Sequence, residues 1–87
     1  MARYYYTYVL QSEKDNNFYV GFTNNIRKRI TELSKGKVQS TKIRLPMKLV
    51  YYESCLDQDD AIRQEKYLKS AWGERYLKNR LKNYLTG

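Results

Sequence analysis

The chain has 87 residues, with 17 lysines and arginines against nine acids, a net charge of +8 and a pI near 9.6. It has no histidine and a single cysteine, Cys55, which excludes a disulfide framework, cysteine zinc clusters, histidine ligands and bases, and Ser-His or Cys-His nucleophile pairs. The length suits one small domain over residues 1–87 with one modest core, and the charge attracts polyanions, nucleic acid first among them.

The N-terminal stretch MARYYYTYVL is strand-like, and its apolar run is too short for a signal peptide or a membrane span. The expected location is the cytoplasm, without membrane contact. Residues 3–12, RYYYTYVLQS, alternate Tyr4, Tyr6, Tyr8 and Leu10 against Tyr5, Thr7 and Val9, which predicts a strand. The Asn and Asp turn chemistry of EKDNN leads into a second short strand, FYVGF, so the two pair as a hairpin. Thr23 or Asn24 is expected to cap a first helix, and Gly36 to stop it. Residues 35–46 read as a basic loop, and MKLVYYES as a third strand. Asp57 or Asp59 caps a second helix reaching about Trp72; Gly73 interrupts it, and a third helix carries Leu77, Leu81 and Leu85 at four-residue spacing. The order β-β-α-β-α-α predicts an α+β fold, helices flanking a three-stranded, mostly antiparallel sheet.

The first helix opens with Arg27, Lys28 and Arg29, cations where the macrodipole favours acids. At roughly 100° per residue, Arg29 lies about 60° from Ile26 and borders the stripe of Ile26, Ile30 and Leu33, whereas Lys28 points away. Arg29 is therefore held against the domain. Either it snorkels past the core into water, or it has a target there. On the second helix Glu65 falls inside the apolar stripe of Ala61, Leu68 and Trp72. A carboxylate there needs a partner, because burying an unpaired charge costs several kcal/mol, on the order of what a small domain can spare. One solution is a salt bridge to Lys69 or Arg29. The other is a divalent cation held by one carboxylate, waters and substrate phosphate oxygens. Ten tyrosines suggest packing for most. Tyr8 and Tyr19, however, sit on neighbouring strands close to the Gly21 turn that launches the Arg29 helix, so their hydroxyls are expected to converge on Arg29.

TYV at 7–9, YVG at 19–21, Thr23, Arg29 in IRKRI, RLPMKLVYYE and AIRQEKYLK together resemble the GIY-YIG nuclease superfamily. The likeness is strongest to its small standalone bacterial members, and extends to the N-terminal nuclease domain of the bacterial excision-repair endonuclease. The resemblance implies hydrolysis of DNA phosphodiester bonds with one divalent metal ion, Mg²⁺ or Mn²⁺, and a role in DNA repair or recombination. Position by position it makes Tyr8 and Tyr19 the motif tyrosines, Gly21 the motif glycine, Arg29 the catalytic arginine and Glu65 the metal-binding glutamate. Three positions depart from the pattern. Leu33 stands where many members carry His or Tyr, the first motif lacks its glycine, and position 22 is Phe.

The mechanism this implies has Glu65 holding the metal, Arg29 stabilising phosphoryl charge, and Tyr8 or Tyr19 activating water while the other positions substrate. Arg27, Lys35, Lys37, Lys42 and Arg44, with Ser40 and Thr41, are candidate contacts to the DNA backbone. A protein partner supplying specificity is compatible with so small a chain. Two other classes fit the same residues: a domain that binds DNA without cutting it, and a small basic RNA-binding protein.

Overall fold

A computed structural model of the protein describes residues 3–36 and 46–87. Strands β1 (Tyr5–Ser12) and β2 (Phe18–Thr23) form the expected hairpin. Its turn is built by short polar side chains. Ser12 Oγ accepts the Lys14 N–H at 3.1 Å, Asp15 Oδ1 accepts the Asn17 N–H at 2.9 Å, and Asn16 takes the left-handed conformation at φ 61°, which asparagine tolerates better than most residues. Strand β3 (Met47–Cys55) pairs with the other edge of β1, giving the order β2-β1-β3, antiparallel throughout. The sheet is thus as expected, and the aromatic, alternating β1 is its centre.

Both faces of β1 are buried. Tyr8 and Leu10 face helix α1 (Ile26–Ser34) and pack with Leu33, Ile26 and Ile30, while Val9 faces the opposite helices and packs with Leu68 and Leu77. Beside Val9, the Thr7 hydroxyl is fully buried and donates to the Ala61 carbonyl at 2.9 Å, so the polar group is satisfied inside the core. A bulge opposite Val9 and Leu10 sends Leu49 to the α1 side and Tyr51 to the other.

Helix α1 is capped by Asn25, not by Thr23 or Asn24. The Thr23 hydroxyl accepts the Asn25 N–H at 3.1 Å and closes the exit from β2, which leaves the Asn25 side chain to accept the Lys28 N–H at 3.1 Å. Gly36 ends the helix as expected, at φ 71°, with its N–H on the Leu33 carbonyl. Helix α2 (Gln58–Lys69) is capped by Asp57. It stops at Ser70 rather than near Trp72. The Ser70 hydroxyl donates to the Tyr67 carbonyl at 2.6 Å and accepts the Gly73 N–H at 3.2 Å, ending one helix and starting the next. Gly73 therefore lies inside the first turn of α3 (Ala71–Arg80), where the expected interruption does not occur. Trp72 correspondingly leaves the apolar stripe and is 68% exposed. A further short helix, α4 (Lys82–Thr86), follows a break at Leu81 and is tied back by the Tyr84 hydroxyl, which donates to Gln11 Oε1 at 2.8 Å. Among the described residues no helix is long and apolar enough to cross a membrane.

Candidate active site

A cleft of about 570 Å³ opens along β2, walled by Tyr8, Tyr19 and Leu33 on one side and by Lys69, Glu74 and Leu77 on the other. Tyr8 is its anchor. In the hairpin register Tyr8 faces Gly21, and the tyrosine ring and hydroxyl occupy the space that a Cβ at Gly21 would fill. Glycine at this position is what lets the phenol cross β2. Burial holds the Tyr8 hydroxyl above its ordinary pKa; Arg29 opposes that shift, while Glu65 and Glu32 add to it. The phenol is thus within the electrostatic reach of one cation and two carboxylates brought from α1 and α2.

Each of these groups is placed by its helix. Arg29 is half-buried beside the Ile26, Ile30 and Leu33 stripe, whereas Arg27 and Lys28 are exposed, so the three cations of the first turn separate as the helical geometry requires. Among the described residues the Arg29 guanidinium forms no salt bridge. Glu65 is largely buried, its side chain 19% exposed, and Lys69 lies 3.1 Å from its Oε2 at (i, i+4). The partner needed by this intruding carboxylate is Lys69 rather than Arg29.

Tyr19 lines the same cleft, but its hydroxyl donates to Asp15 Oδ2 at 3.1 Å, toward the hairpin turn. The two tyrosines therefore share a cleft while differing in environment. Leu33 is buried against Tyr8 and Leu10, forming an apolar wall where a proton carrier was the alternative. Lys35 is exposed beyond α1. Lys37, Ser40, Thr41, Lys42 and Arg44 lie outside the described residues. Sequence reasoning did not assign Glu32, Lys69 or Glu74 to the site. Lys69 was visible only as a potential partner of Glu65, and Glu74 was obscured by the misplaced helix break.

The pattern of the GIY-YIG catalytic domain family matches residues 4–84. The chain belongs to the GIY-YIG family. It is similar to small bacterial UPF0213 proteins: it is 41% identical over 68 residues to one from Limosilactobacillus reuteri, covering 75% of this chain and 70% of that one. It is 37% identical over 79 residues to one from Staphylococcus haemolyticus, covering 90% and 94%. The solution structure of a UPF0213 protein from Bacillus halodurans superposes with a TM-score of 0.54 at 28% identity, covering 85% of this chain and 81% of that one. Tyr8, Tyr19 and Gly21 all lie within the matched span, and Tyr8 lies over Gly21.

A GIY-YIG domain is a nuclease-type catalytic domain, and such nucleases generally use a divalent metal ion. Among the described residues no group of three or more Cys, Asp or Glu side chains is placed to hold a metal. The single, mostly buried Glu65 carboxylate nevertheless suits a hard cation that takes its remaining ligands from water and phosphate oxygens.

Proposed function

We propose that this chain is a metal-dependent DNA endonuclease that hydrolyses phosphodiester bonds, acting as one unit over residues 1–87. Its substrates are structured DNA of the kind met in repair or recombination in the cytoplasm. The observation that carries this reading is the buried Tyr8 phenol beside the cleft, within the electrostatic reach of Arg29 and Glu65 from two other elements. Arg29 is a fixed cation that accepts a phosphate through planar, charge-assisted hydrogen bonds and stabilises the charge growing on the phosphoryl group. Glu65 would hold Mg²⁺ or Mn²⁺, which when bound supplies Lewis-acid charge at a non-bridging phosphate oxygen. Tyr8, neutral at rest because of its burial, orients the attacking water; to act as the base it first releases its own proton to solvent, which Arg29 and a bound cation would favour against burial, and the phenolate so formed takes the proton of the water. Tyr19 positions the substrate from the same cleft. Arg27, Lys35 and the basic residues among 37–44 add attraction for the backbone, and a protein partner supplying specificity is compatible with this chemistry.

The test is cleavage of duplex, nicked, flap and branched DNA with Mg²⁺ or Mn²⁺. Wild type should cut at least one of these and stop when the metal is chelated. Glu65→Gln should retain the folded stability and lose the cutting, and Arg29→Ala should lose on the order of 10²-fold or more in rate. Binding that survives chelation without cutting under either metal would instead make the chain a DNA-binding domain, the outcome favoured by the apolar wall at Leu33. A preference for RNA at matched salt would overturn the DNA reading altogether.

A further inference from the structure

We infer that the outer side of α3 is a second nucleic-acid site, a stacking platform for unpaired nucleotides next to the cleft. This rests on the endonuclease reading above and specifies its substrate as DNA with a single-stranded segment beside the bond that is cut. Gly73 and Leu77 are the buried side of α3, and Glu74 and Leu77 face the cleft. Trp72 and Arg75 point away from that side, Tyr76 borders it, and all three are exposed. Trp72 is 68% exposed, an unusual position for the largest apolar side chain of so small a protein. The Arg75 guanidinium lies 5.0 Å from the centre of its ring, a cation beside an aromatic face. Alongside, the Tyr67 and Tyr76 rings pack at 6.4 Å, with Tyr67 44% exposed, and the Tyr76 hydroxyl is 3.4 Å from that of Tyr51.

The charge around these rings selects the occupant. Between Lys66 and Lys82 there are six lysines and arginines against Glu74 alone, so this short stretch carries five of the chain's eight net positive charges. Glu74 itself is bridged to Lys78 at 3.2 Å. Exposed aromatic faces set among cations match a strand whose bases are free to stack and whose phosphates run alongside, because every base has a stacking face and every linkage a charge. A paired duplex offers the phosphates but hides the faces. Since Glu74 and Leu77 also wall the cleft, a strand leaving it has α3 as its next surface.

Trp72 is the chain's one tryptophan, so its fluorescence reports this site directly. In chelator, where no cutting occurs, a short oligodeoxythymidylate should quench it, and a blunt duplex of the same length should not. Trp72→Ala should weaken binding of the oligonucleotide about tenfold or more while leaving duplex affinity and the denaturation midpoint unchanged. In the cleavage assay the same variant should lose preference for flap over blunt substrates. Absence of quenching, equal quenching by duplex, or a Trp72→Ala affinity equal to wild type would overturn the proposal. So would a signal that depends on protein concentration alone, which would make the face a contact between copies. Because the binding measurement needs no catalysis, an enzyme that fails to cut while still showing selective quenching refutes the endonuclease reading and not the platform.

Discussion

At the residue scale the site depends on one missing methyl group. Tyr8 and Gly21 are cross-strand partners, and Tyr8 can be buried across β2 only because Gly21 has no Cβ. Gly21→Ala places a carbon on the tyrosine hydroxyl and ring, so the phenol must swing away from the electrostatic reach of Arg29 and Glu65. The expected loss in cleavage rate is on the order of 10²-fold, the scale of a displaced reacting group, with a stability loss of about 1–3 kcal/mol from overpacking. DNA affinity should change little, since Arg29 and the basic surface remain. Single-turnover rates and denaturation curves on the same preparation separate these effects. A Gly21→Ala enzyme that cuts at the wild-type rate would show that the position of Tyr8 is immaterial. This coupling was not readable from the motif spacing, which places both residues near a turn but does not give the register that puts one over the other.

At the scale of elements, the hinge between α2 and α3 is fixed by a hydroxyl and a glycine. Ser70 serves both helix ends, and a Cβ at Gly73 would meet the Tyr67 carbonyl oxygen and the Leu68 backbone, which cannot yield as a side chain can. Gly73→Ala should therefore destabilise the protein by about 1–3 kcal/mol or more, even though alanine is the better helix former. Urea denaturation decides it: a gain in stability would mean that the helix preference outweighs the contact. This hinge also explains an error in reading the sequence. Helical periodicity carried straight through residue 70 makes Trp72 part of the core stripe, because the pattern contains no sign that Ser70 turns its hydroxyl to both ends. Glu65 and Arg29 escaped that error. Arg29 shares its helix with all the apolar residues against which it is measured, and Glu65 shares its own with Ala61 and Leu68, so the loss of Trp72 beyond Ser70 does not move it. The Asn25 cap was misplaced for a related reason, since Thr23 had two hydrogen-bonding uses and took the one that closes β2.

For the whole molecule, the tyrosines that shape both sides of the sheet also set its response to alkali. Burial holds the Tyr8 phenol above its ordinary value, with Arg29 only partly offsetting it. On the opposite side, burial together with hydrogen bonds to Tyr76 and Glu53 raises Tyr51 further. Both groups keep their protons in the folded state at pH values where the unfolded chain has begun to lose them. Below about pH 10 the two states bind equal numbers of protons at these positions, and the contribution is fully present. Above it the native state binds more, the slope of unfolding free energy with pH becomes negative, and the contribution is lost as pH rises through the folded pKa values. Urea midpoints for wild type should fall between pH 10 and 11 more steeply than those of Tyr8→Phe or Tyr51→Phe, with the larger flattening in Tyr51→Phe. Identical slopes in all three proteins would mean that neither phenol is held protonated by the fold. The neutral Tyr8 invoked at the cleft would then lose its physical basis as well.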